Sequence, residues 1–129
     1  MEFEEPHVGL EDSYRSLIRE FEAAGEVLVP FTLTFPNEDF PAFLGRLAAC
    51  ARGEGLPAGT VPHTTYWLVS DGAVVGVANL RHTLNDSLRR DGGHIGLGVR
   101  PTARRRGFGG ELLRRTLGRA RDIGLTQVL

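Results

Sequence analysis

The residues most able to do chemistry stand together at Arg104-Arg105-Arg106-Gly107-Phe108-Gly109-Gly110. Three guanidinium groups precede a glycine-rich entry into an apolar-periodic stretch. If that stretch is a helix, its first turn has backbone N–H groups with no intrahelical partner and a partial positive charge, which suits a phosphate. Gly107 and Gly109 remove side chains where a ligand would approach, and the arginines add cationic support. Other phosphate motifs fail here. A Walker loop needs lysine, and all 15 basic residues are arginine. A dinucleotide fingerprint needs a third glycine, but from Gly96 and Gly98 that place is Pro101, and from Gly107 and Gly109 it is Leu112.

Charge is divided along the chain. The net charge of −1 combines residues 1–80, with 4 Arg against 12 acids, and residues 81–129, with 11 Arg against 4 acids. A basic second half points to a polyanionic ligand, either a phosphate-bearing cofactor or nucleic acid. The pattern lacks the aromatic platform or recognition helix of a nucleic-acid module, so no nucleic acid is expected. The one cysteine, Cys50, excludes an intrachain disulfide and fits a cytoplasmic setting. It stands in an apolar helical stripe and reads as a core residue. No apolar run is long enough to span a bilayer, the acidic start Met1–Glu5 has no signal-like apolar region, and no membrane partner is expected. No cluster has metal-ligand spacing, so no metal is expected.

The elements that must position the arginine–glycine segment follow from periodicity. Tyr14, Leu17, Ile18 and Phe21 mark a helix over 10–24, ended by Gly25. Residues 26–37 read as a loop. A second helix is predicted from Asp39 to Arg52, with Phe40, Phe43, Leu44, Leu47, Ala48 and Ala51 as its stripe and Pro41 in its first turn. Thr64–Val69 and Ala73–Arg81 read as strands joined by the hairpin signal Asp71-Gly72. Residues 83–92 read as polar turns, and Gly93–Val99 as a strand. A third helix is predicted over 107–123, and Leu125–Leu129 as the start of another strand. The order is helix, helix, hairpin, strand, helix, strand, in a single domain over residues 1–129.

This order, with Arg104-x-x-Gly107-x-Gly109 between a strand and a helix, resembles the GNAT superfamily of acetyltransferases. The Pro101 turn and Leu112-Leu113 also look like that family. Val61–Trp67 together with Gly92–Gly96 is similar to a subgroup of bacterial acetyltransferases with no assigned acceptor. The resemblance implies an α/β (α+β) fold, with a mixed, mostly antiparallel sheet flanked by helices. It implies acetyl-CoA as cosubstrate and an amine as acceptor. The pantetheine arm would pair with the backbone of Leu97 and Val99. The pyrophosphate would sit on the backbone N–H groups of Arg105, Gly107, Gly109 and Gly110, with Arg104 either supplying charge or holding the turn, and Arg106 and Phe108 among the cofactor-binding residues.

The same resemblance implies a base near the start of the central strand, where His94 stands, with His82 as a second candidate. Neutral imidazole suits the role, since its ordinary pKa is about 6.5. Asn79, Arg81 and Asn85 are candidate acceptor contacts or polar strand ends. Glu111 reads as a partner of the helix dipole. Beside the family's last strands, the pattern looks C-terminally incomplete, without the tyrosine that commonly serves as acid. That reading leaves an open sheet edge on which a homodimer could form. It also keeps a second functional class in view, a non-catalytic acyl-CoA-binding or structural fragment of the same fold.

Overall fold

The computed structural model describes residues 1–90 and 92–129. Its centre is a four-stranded sheet in the order β1 (Glu2–Glu4), β2 (His63–Ser70), β3 (Ala73–Arg81), β4 (Ile95–Val99), with every pairing antiparallel. Helices α1 (Glu11–Ala23) and α2 (Phe40–Ala51) cover one face, and α4 (Phe108–Asp122) covers the other. A short helix, α3 (Asp86–Arg90), lies between β3 and β4.

Alternation along the strands assigns the two cores. Trp67, Val69, Val74 and Val77 face α1 and α2, where they meet Tyr14, Leu17, Phe40 and Phe43. Tyr66, Leu68, Val75, Ala78 and Leu80 face α4 and meet Phe108 and Leu112. Tyr14 stacks between Trp67 and Phe43, with ring centroids 5.1 and 5.2 Å away, and burial pushes its phenol pKa up. α4 comes close to β3 at Gly76, where a Cβ would lie 3.1 Å from Leu112 Cδ2.

Local chemistry sets the boundaries. The Asp39 side chain accepts from the Ala42 N–H at 3.1 Å and caps α2. Asp71 and Gly72, at φ 51° and 75°, form the two-residue turn whose twist suits a hairpin. A register shift at Leu68/Val69 leaves Val75 as the extra residue of a bulge. Cys50 is buried in the α2 stripe with Phe40, Phe43 and Leu47, while Ala48 is exposed.

Three expectations need amendment. Residues 2–4 form a strand, too short and too acidic to stand out in sequence. Residues 86–90 are helical, with Asn85 Oδ1 accepting the Leu88 N–H. Residues 125–129 form no strand. Leu125 and Val128 pack against the α4-side core, and the segment hydrogen-bonds through Leu129 to His94, just before β4, so there is no ladder and no parallel pair among the described residues.

Candidate acyl-transfer site

Strand β4 is the spine of the site. The Arg81 N–H donates to the His94 carbonyl at 2.7 Å, and the Arg100 N–H donates to the Val75 carbonyl at 2.8 Å. Antiparallel pairing alternates between bonded and non-bonded positions, so Gly96 and Gly98 also turn their backbone toward β3. Ile95, Leu97 and Val99 therefore turn theirs to the other edge, which no strand pairs among the described residues. The Val99 carbonyl there accepts from Arg104 Nε at 3.2 Å.

Gly96 and Gly98 have a packing role. A Cβ on Gly98 would lie 1.9 Å from the Val29 carbonyl oxygen, and one on Gly96 would lie 3.1 Å from Pro30 Cβ. The segment after α1 thus rests directly on the face of β4, where any side chain would push it away. Arg100 anchors the far end of the strand. Its guanidinium is 2.6 Å from Glu20 and donates to Ser16 Oγ, to the Ser13 carbonyl and to the Val74 carbonyl. The Thr102 N–H and hydroxyl also donate to Glu20, whose pKa falls below the usual carboxylate range as these bonds outweigh the effect of burial. In sequence Arg100 stands four residues before the run Arg104–Arg106 and looks like part of it. Only its contacts across the chain separate it from them.

One end of β4 leads to a cavity of about 340 Å³ lined by Val99, Ala103, Arg104, Arg105, Gly107, Phe108 and Gly109. Gly107 is the residue before α4 and is left-handed at φ 85°; no side chain caps the helix. The first i→i−4 bond runs from the Glu111 N–H to the Gly107 carbonyl at 3.2 Å, so the N–H groups of Phe108, Gly109 and Gly110 have no such partner. A Cβ on Gly107 or Gly110 would meet nothing within 4 Å. Protein packing does not require glycine at those two places, and the space there is open to a ligand.

The arginines divide in role. Arg104 forms two bonds to Glu26, at 2.7 and 2.6 Å, and both pKa values move in the directions that strengthen the pair. It holds the turn against the α1 side. Arg105 lines the cavity, and Arg106 lies outside it with its guanidinium 5.0 Å from the Phe108 ring centre. Glu111 pairs with Arg114 and Arg115, which hold its carboxyl at about 2.

The other end of β4 leads to a cavity of about 420 Å³, where Asn79, Arg81 and Leu97 meet Val29, Pro30 and Phe31. Asn79 is buried. Its amide nitrogen faces His63 Nδ1 at 2.8 Å and Thr65 Oγ1 at 3.3 Å, and its carboxamide oxygen has no partner. Burial is the first cause that draws His63 down to about 4, helped by Arg81, His82 and Arg46. Asn85 stands apart from this cavity: it caps α3 and donates to the Gly59 carbonyl at 2.8 Å.

The two candidate bases are engaged differently. His94 Nδ1 accepts the Leu129 N–H at 3.1 Å, which leaves the ring proton on Nε2. Burial, then Arg81, lower its pKa. His82 lies on the α4 side of the sheet, with Nε2 2.7 Å from Thr64 Oγ1, and burial lowers its pKa. Among the described residues no three potential ligands gather around a metal position, and no helix is long and apolar enough to cross a membrane.

A sequence model of the acetyltransferase (GNAT) family matches residues 19–129. Neither curated proteins nor solved structures give a significant match. The family match runs from the C-terminal part of α1 to residue 129, including both cavities and the strand between them, and the α+β fold agrees with it. The chain belongs to the GNAT acetyltransferase family.

Proposed function

We propose that the protein transfers the acetyl group of acetyl-CoA to an amine by direct attack. The observation that carries this reading is the placement of two cavities at the two ends of one strand edge. Phosphates fit the cavity at α4, where N–H donors, a helix N-terminus and Arg105 converge on open space. The free backbone groups of Leu97 and the Val99 N–H suit the amides of an extended pantetheine arm between the cavities. The Asn79 cavity then receives the acceptor.

Acetyl-CoA, when bound, supplies an activated acyl carbon with a thiolate leaving group. The amine nitrogen bonds to that carbon, the carbon–sulfur bond breaks, one amine proton is lost and the thiolate gains one. The chain's own contribution is binding and orientation, in which holding reactants in line lowers the barrier. The tautomer of His94 offers no lone pair outside its bond to Leu129. His82 lies on the opposite face from Asn79. We therefore assign proton removal to water at the acceptor cavity, with His94 helping to order the start of β4.

The direct experiment is thiol release from acetyl-CoA with and without amines, alongside an acetyl-CoA titration. Amine-dependent release supports transfer. Binding without release at any amine favours the alternative of an acyl-CoA-binding domain that does no chemistry, and absence of both excludes the reading.

A further inference from the structure

We propose that the acceptor is an amine that also carries a carboxylate, with the amine held at Asn79 and the carboxylate at Arg81. This rests on the acetyl-transfer reading and narrows it to a substrate class.

Two independent features of the larger cavity point this way. The first is the carboxamide oxygen of Asn79. The residue is 1% exposed, and with its amide nitrogen turned to His63 Nδ1 and Thr65 Oγ1 the oxygen is left without a protein partner. A buried acceptor without a hydrogen bond is costly. A neutral amine has an N–H to donate there and keeps its lone pair for attack.

The second is Arg81, two residues along β3 on the same face. Such positions are separated by about 6.6 Å along a strand. Arg15, Arg100, Arg104 and Arg115 are each held by a carboxylate. Among the described residues, Arg81 is held only by backbone carbonyls, donating to Gly93 at 3.0 Å, with its guanidinium 5.3 Å from the Phe31 ring centre. Partial burial lowers its pKa, and an anionic partner offsets that cost. The rest of the wall is apolar, from Leu28 to Phe31 and at Leu97, and its described residues include no carboxylate to receive a second ammonium group. Among the described residues, a polyamine or other polycation finds one cation and no counter-charge in this cavity.

The test is acetyl-transfer kinetics on matched pairs, the free L-amino acids against their carboxamides, with spermidine as the polycation. The proposal expects kcat/KM for at least one free acid to exceed that of its amide by tenfold or more, with spermidine poorer still. Arg81→Gln should erase the difference between acid and amide. Arg81→Lys, which keeps the charge, should retain part of it. Asn79→Ala should lower kcat/KM tenfold or more for acid and amide alike, because it touches the amine. Equal rates for acids and amides, a preference for spermidine, or no transfer to any carboxylate-bearing amine overturns the proposal. An acetyl-CoA titration on the same wild-type preparation separates the two readings. Retained binding confines the failure to the acceptor class, and lost binding removes the donor reading as well.

Discussion

Gly98 and Val29 are in contact through backbone alone: a single Cβ on Gly98 would fall 1.9 Å from the Val29 carbonyl oxygen. The wall of the cavity at Asn79 and Arg81 therefore depends on a position in β4 that has no side chain. Gly98→Ala is expected to displace the 28–31 segment and to destabilise the fold by about 1–3 kcal/mol, the usual range for forced overpacking. Urea denaturation measures this. A variant within 0.5 kcal/mol of wild type would show that the segment moves aside without cost.

The Arg104–Glu26 pair gives a second expectation. Glu26→Gln removes an anion from beside the cavity at the start of α4 and releases Arg104 toward it. Acetyl-CoA affinity should rise about two- to fivefold, in line with single charges near a helix N-terminus. Calorimetric titration reads the change. A weaker complex would mean that the pair's hold on the turn matters more than the freed charge.

His94 separates what position suggests from what geometry allows. Its place at the start of β4 marks it as a base, yet its acceptor nitrogen is taken by the Leu129 N–H. His94→Gln should therefore lower turnover less than tenfold and leave the pH profile in place. A loss of roughly 10²–10⁴ with an ionisation removed, as for a general base, would restore His94 to that role.

Much of the fold around the candidate site was legible from residue types. The helix stripes, the Asp71-Gly72 hairpin and the strand before Arg104 are local patterns, and short-range sterics and periodicity fix them. What could not be read depends on contacts between distant segments. Arg100 looks like its neighbours at 104–106 until Glu20, 80 residues earlier, closes on it. Gly96 and Gly98 fail the dinucleotide pattern, and their reason for being glycine appears only with the 28–31 segment that needs them small. Asn79 and Arg81 were visible as polar strand-end residues, but the missing partner of the Asn79 oxygen appears only with His63 and Thr65 in place.

The buried His63 predicts a pH dependence of stability. The unfolded imidazole takes up its proton near pH 6.5, and the folded one only near 4. Between these values the unfolded state binds more protons, so stability falls as pH drops through that window and is level above it. The loss from this group is at most about 3–4 kcal/mol. His82 and His94 are shifted in the same direction and add to it. Denaturation midpoints between pH 4 and 8 test this. A midpoint that holds steady from pH 7 to 4.5 would mean that His63 is not held neutral.

On the proposed reading, α4 begins at the phosphates of acetyl-CoA. Gly110 is the cleanest place to challenge it. Its side-chain direction is open, and its backbone is not among the left-handed positions, whereas Gly107 at φ 85° would be strained by any side chain. An acid in the first helical turn is no threat to the helix itself. Acetyl-CoA titration of the Gly110→Asp protein, checked for a wild-type melting temperature, is the decisive measurement. Affinity at least tenfold weaker than wild type is the expected result, and unchanged affinity in the folded variant would contradict the placement of the cofactor.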